Sequence, residues 1–241
     1  MIRIPILRAG ATERFPPAER ALDEPNGLLA AGGDLSTARL LDAYRHGIFP
    51  WFSAGDPILW WSPDPRMVLE TDSVHVAQKL RRWLRKSAWT IAADRNFERV
   101  MRACAAPRRY QPTTWITVEM LAAYSVLHRE GHAHSIEVYD GDDLVGGIYG
   151  VAVGRMFFGE SMFSAQTNGS KVALIALCRG LRQWAFPLLD AQVASAHLAS
   201  LGAHEIPRSA FVERVEALCA IAGADGSWTQ KWPVGRAREL V

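Results

Sequence analysis

Residues 134–164 read HSIEVYDGDDLVGGIYGVAVGRMFFGESMFS. Three runs rich in β-branched and aromatic residues, 134–140, 143–154 and 155–164, are separated by Asp140–Gly141 and Val153–Gly154. Dipeptides of this kind are hairpin turn signals. The stretch is therefore predicted to form three consecutive antiparallel strands.

Outward from this meander the pattern stays mixed. On its C-terminal side a helix is expected from about Asn168 to Trp184, then a strand at PLLDAQV (187–193). Short helices are expected after Ala194 and from about Ser209. On its N-terminal side, residues 74–86 (VHVAQKLRRWLRK) place Val76, Leu80, Trp83 and Leu84 on one helical face. A strand near 88–92 and helices near 95–105 and 117–130 fill the interval. The expected class is α/β (α+β), with a mixed, largely antiparallel sheet in the order of a GNAT-like acyltransferase domain. Fold order of this kind does not dictate function.

Residues 1–65 read differently, as a small Pro/Gly-rich N-terminal domain before a larger one at 66–241. EPNG (24–27) predicts a turn, and Ser36 is placed to cap a helix ending near Gly47. Then GIFPWFSAGDPILWWSPDPR (47–66) packs three Trp between four Pro, which predicts a stiff, extended segment over 49–65.

The composition bounds the function. The chain has 241 residues, 49% hydrophobic and 22% charged, so it can bury a full core. Its three widely spaced Cys suggest a reducing compartment and no disulfide framework. No apolar run of about 18 residues occurs, and charges break up MIRIPILRAGATERFPP, so neither a membrane span nor a signal peptide is expected. The expected location is cytoplasmic. The net charge is +2, but residues 76–109 hold ten basic and two acidic side chains, +8, which leaves −6 for the remainder. Such asymmetry fits either a phosphate-backbone binder or a solvated helical face.

Three motifs carry chemistry. In FFGESMFS (157–164), strict alternation puts Glu160 on a face with Phe158 and Met162, a costly place for a carboxylate unless it is paired or working. In PLLDAQVAS (187–195), Asp190 and Gln192 are two apart, so on a regular strand they point the same way. A carboxylate there can orient a neighbouring amide, or the pair can simply end the strand. AQTNGSK (165–171) opens a helix without the glycine-rich pyrophosphate loop of an acetyl-CoA enzyme. His132 and His134 form an HxH with no further metal ligands in sight, so no metal is expected.

In order and spacing, EPNGLLAAGGDLS, GIFPWFSAGDPILWWSPDPR, TWIT (114–117), GHAHSIEV, LVGGIYGV, FFGESMFS, DAQV and HLASLGAHEIPR (197–208) together resemble the leucyl/phenylalanyl-tRNA–protein transferase family. The resemblance implies transfer of Leu or Phe, less readily Met, from aminoacyl-tRNA to the N-terminal Arg or Lys of acceptor proteins, marking them for N-end-rule degradation. It implies no cofactor, because charged tRNA is the activated donor. Trp51 would border the site of the tRNA's 3′ adenosine. Trp115, Ile148, Phe157, Met162, Leu177 and Leu181 would form the aminoacyl pocket. Asp190 and Gln192 would be catalytic, and Glu160 would hold the amino acid's amine or the ribose. Arg82, Arg85 and Lys86 match the family's tRNA-binding surface, to which charge density adds Lys79 and Arg81. A chain of this size is expected to act as a monomer.

Overall fold

A computed structural model describes residues 4–11, 13–106, 114–224 and 226–241. The N-terminal sheet contains β1 (Ile6–Leu7), β2 (Leu28–Gly32), β3 (Phe49–Pro50) and β4 (Leu59–Trp61) in the order β1-β2-β4-β3. Helix α1 (Thr37–Arg45) connects β2 to β3, and the Ser36 hydroxyl accepts from the Arg39 N–H at 3.4 Å, the predicted cap. The EPNG turn is present, and Leu28 N–H donates to Pro25. Its Gly27 has φ +89°, and a Cβ there would lie 2.6 Å from Pro63, so glycine is needed for both reasons.

The segment 49–65 is not a single extended run. Its ends pair antiparallel, Phe49 with Trp61 and Pro50 with Trp60. A turn closed by Asp56 N–H on Ser53, with Gly55 at φ +89°, reverses the chain between them. The prolines stiffen the arms of a hairpin.

The larger sheet holds seven strands: β5 (Arg66–Glu70), β6 (Thr90–Ala93), β7 (Ala133–Asp140), β8 (Asp143–Val153), β9 (Met156–Ser164), β10 (Leu188–Gln192) and β11 (His204–Ile206). Their order is β11-β5-β10-β9-β8-β7-β6. The meander β7–β8–β9 is present as predicted. Every pairing is antiparallel except that of β10 with β9. The fold is thus the mixed, largely antiparallel α/β arrangement expected.

Helices cover both faces. On one side α1, α3 (Phe97–Ala105) and α4 (Val118–Arg129) pack Tyr44, Val100 and Tyr124 with Tyr149 and Phe158 of the sheet. On the other, α2 (Gln78–Leu84) and α5 (Gly169–Gln183) pack Leu80, Leu174, Leu177 and Leu181 with Ile148 and Phe157. Helix α5 sits close because its first residue meets Gly146 of β8, where a Cβ would come within 2.3 Å of Gly169. Helices α6 (Ala196–Ala199) and α7 (Arg208–Cys219) follow β10 and β11.

Helix α2 starts four residues later than the periodicity predicts. Residues 74–77 are non-helical instead, with the His75 N–H donating to Leu201. The β-branched Val74 and Val76 suit that conformation. No helix among the described residues is long and apolar enough to cross a membrane.

Candidate active site

The parallel pairing of β10 with β9 runs from Leu188↔Met156 to Asp190↔Phe158. Just past it, each strand carries one extra residue. On β9, Ser161 and Gly159 oppose consecutive residues Tyr149 and Gly150, so Glu160 is a bulge. On β10, Asp190 and Gln192 oppose consecutive Val68 and Met67, so Ala191 is a bulge. A cavity of about 410 Å³ opens between the two strand ends, lined by Gly159 to Met162 on one side and Ala191 to Val193 on the other.

These bulges overturn two expectations based on regular alternation. Phe157 opposes Ala152 and Met162 opposes Ile148, which puts Phe157 and Met162 on the same face. Glu160 instead turns to the opposite layer. There Oε1 accepts from Tyr44 at 2.7 Å, while the single Tyr124 hydroxyl hydrogen is shared between the Tyr44 oxygen and Oε2, the latter at 3.3 Å. Likewise Asp190 and Gln192 do not present a side-by-side pair. The Asp190 carboxylate is fully buried and takes a two-pronged contact from Arg66, Nε to Oδ1 at 2.8 Å and Nη2 to Oδ2 at 2.6 Å.

Asp190 does not orient the Gln192 amide. Its Oδ1 accepts from the Gln192 backbone N–H at 2.9 Å, which holds Gln192 at φ +63°, a left-handed position that costs a non-glycine residue energy. The amide is oriented by Glu160, whose Oε1 accepts from Gln192 Nε2 at 3.0 Å. Nor does Asp190 present its charge to the cavity, since it is fully buried against Arg66. Arg66 is itself buried and lies between the rings of Phe49 and Phe211, at 4.8 and 4.4 Å.

Burial pushes the Glu160 carboxyl up to about 7, against the lowering effect of the Tyr44 hydrogen bond. Burial also drives the Tyr44 and Tyr124 hydroxyls well above the usual phenol range, so both remain donors. An ionised Glu160 only accepts. It therefore takes the NH₂ edge of Gln192 and leaves the amide carbonyl for another partner.

Six of the expected residues line the cavity: Trp51, Trp115, Ile148, Glu160, Met162 and Gln192. Trp51 is 42% exposed at the rim, and its carbonyl accepts from Trp61 Nε1 at 2.7 Å. Phe157, Leu177 and Leu181 do not line it. They are buried in the core behind, and Leu174 and Leu189 form the apolar wall instead. Leu174 precedes Leu177 and Leu181 on the buried face of α5, one turn nearer the opening. Trp60 is a packing residue: it is fully buried, edge-on to Phe15, and donates to Gly32.

Lys79, Arg81, Arg82, Arg85 and Lys86 are all exposed along and just beyond α2, and none lines the cavity. Arg108 and Arg109, counted in the basic segment, lie outside the described residues. His134 does not join His132. Its Nδ1 meets Asp94 at 2.8 Å, and its ring stacks on Trp228 at 3.8 Å.

Sequence reasoning missed Arg66, Tyr44 and Tyr124. Arg66 heads the apolar run MVL, a signal that its charge is buried and needs a partner. The tyrosines occupy core-facing helical positions, where spacing alone cannot distinguish a hydrogen-bond donor from packing.

Residues 68–216 match the family model described as "Leucyl/phenylalanyl-tRNA protein transferase", and residues 33–64 match the model for its N-terminal domain. A "Leucyl/phenylalanyl-tRNA--protein transferase" of Xanthomonas oryzae pv. oryzae is 59% identical over 98% of this chain and 94% of its own length. Proteins of that name from Xanthomonas euvesicatoria pv. vesicatoria and Nitrosomonas europaea are 59% and 56% identical. They span 94% and 89% of this chain, and 91% of their own length in each case.

Proposed function

The chain belongs to the leucyl/phenylalanyl-tRNA protein transferase family, and from that premise we propose how its cleft performs aminoacyl transfer. The protein moves Leu or Phe, and less readily Met, from aminoacyl-tRNA to the N-terminal Arg or Lys of an acceptor protein. The product is marked for N-end-rule degradation. The proposed setting is the cytoplasm, with the protein acting as a monomer and using no cofactor. In this reading residues 1–65 form a unit that brings Tyr44 and Trp51 to the acyltransferase unit, 66–241.

The observation that carries the reading is an apolar cavity whose polar end is a held amide. Trp115, Ile148, Met162 and Leu174 offer the aminoacyl side chain a surface without charge. Trp51 at the rim provides a ring for the terminal adenosine; stacking of a base on an aromatic ring is worth about 1–3 kcal/mol. Apolar walls discriminate by about 1–3 kcal/mol per methylene, so Leu and Phe are both accepted and selectivity is leaky.

The reaction is aminolysis of an ester. The acceptor's α-amine, with a pKa of about 7.7–8.0, is partly neutral at cytosolic pH and needs no strong base. Its nitrogen bonds to the ester carbonyl carbon, and the bond to the ribose 3′ oxygen breaks. The proton lost by the amine reaches that oxygen through the vicinal hydroxyl or water. Gln192 contributes alignment: its carbonyl accepts an N–H of the attacking amine while Glu160 fixes the amide edge. Asp190 and Arg66 hold the bulge that presents Gln192. The exposed basic residues of α2 contact the tRNA backbone without reading sequence.

Incubation with radiolabelled Leu-tRNA and a peptide beginning with Arg tests this reading. Label entering the peptide supports it; tRNA binding without label transfer refutes it.

A further inference from the structure

A second hollow, of about 610 Å³, shares the Met162 wall with the aminoacyl cavity. Its polar lining comes from Arg99 of α3, Ser164 at the end of β9, Ser170 in the first turn of α5 and His197 of α6. Leu144 and Phe163 supply apolar surface, and among its described lining residues there is no carboxylate. The neighbouring Glu98 is engaged by Arg102 at 3.3 Å. Burial, and then the charge of nearby Lys171, holds the His197 imidazole below its ordinary affinity for a proton. Ser164 Oγ accepts the Ser170 N–H at 2.7 Å and donates to the Ser170 hydroxyl at 2.9 Å. That leaves the Ser170 hydroxyl hydrogen for a ligand.

A cationic, donor-rich wall facing an apolar one suits a nucleotide: phosphate on one side and base on the other. Continuity argues the same way. An ester held in the first cavity is borne by a ribose whose 5′ phosphate leads to the preceding nucleotide, so the strand must leave along a wall of that cavity. An acceptor beginning with Arg or Lys is cationic and is repelled by Arg99. We infer that the second hollow seats the nucleotide immediately 5′ to the terminal adenosine, with its phosphodiester against Arg99 and Ser170. This rests on the aminoacyl cavity being the donor site.

The test compares two donors, Leu-tRNA and 3′-O-leucyl-adenosine, which lacks the preceding nucleotide. Arg99 is exposed, so Arg99→Ala leaves the core intact. The expected result is a KM for Leu-tRNA raised about fivefold or more, with kcat unchanged and a salt slope smaller by about one. Ser170→Ala shifts the same KM less, and Arg99→Lys recovers part of the loss. The KM for leucyl-adenosine stays at the unaltered protein's value. An unchanged KM for Leu-tRNA, an equal rise with both donors, or a rise in the acceptor peptide's KM instead would overturn the inference. Absence of transfer by the unaltered protein from either donor would refute the transferase reading itself, and this subsite with it.

Discussion

Gln192 Nε2 lies 3.0 Å from Glu160 Oε1, joining the two bulged strands across the mouth of the cleft. The carboxylate accepts and the amide donates, so Glu160 does not occupy the Gln192 carbonyl. In Glu160→Gln two amides meet, and either can turn its oxygen to the other. The expected result is transfer slowed by about 10–100-fold, with unchanged affinity for aminoacyl-tRNA, measured by single-turnover kinetics.

The same contact predicts a pH signature. Burial raises the Glu160 carboxyl to about 7, the acceptor amine titrates at about 7.7–8.0, and in the proposed mechanism both lose a proton before transfer. In the unaltered protein log(kcat/KM) therefore climbs with a slope approaching two below pH 6.5. Glu160→Gln should climb with a slope of one.

Arg66 and Asp190 are both fully buried and paired at 2.6 Å, so breaking the pair strands a charge. Arg66→Met or Asp190→Asn alone should lower stability by about 3–5 kcal/mol, read from urea unfolding. The double variant should lose less than either single change, because no charge remains unpaired. Additive losses would contradict the pairing as the cause.

Glu137 on β7 is also buried, and burial pushes its carboxyl up to about 7 despite the 2.5 Å hydrogen bond from Ser135. Between its unfolded value near 4.5 and about 7, the folded state binds more protons than the unfolded one. Stability must then fall as pH rises through that window and level off above it. Glu137→Gln, which mimics the protonated form, should flatten that part of the curve.

Ile148 faces Met162 across β8 and β9 and lines the apolar cavity. Ile148→Phe shortens the space for a ring more than for a branched aliphatic chain. Competition between Phe-tRNA and Leu-tRNA should shift toward Leu by about tenfold or more.

The fold was largely legible because its signals were local. Turn dipeptides set the meander, and the helices expected near 95–105, 117–130 and 168–184 are present as α3, α4 and α5. The short strands β2, β5 and β11 were not legible, since each gains its identity from a distant partner such as Val68↔His204. The site was legible as residue types and not as geometry. A β-bulge has no sequence period; one of them leaves Glu160 in the Phe158 layer but moves Met162 to the face of Phe157, and the other separates Asp190 from Gln192. Arg66 escaped notice because it reaches Asp190 from 124 positions away. Leu177 and Leu181 share a helical face with Leu174, and only the position of the strand ends decides which of the three meets the cavity.

The proposed transfer rests on Gln192 aligning the attacking amine while the apolar cavity holds the aminoacyl group. Single-turnover transfer from preformed enzyme–Leu-tRNA complex to an Arg-initiated peptide, comparing the unaltered protein with Gln192→Ala, tests it most directly. The expected rate is about 100-fold lower, with Leu-tRNA affinity unchanged. A Gln192→Ala rate equal to that of the unaltered protein would contradict it.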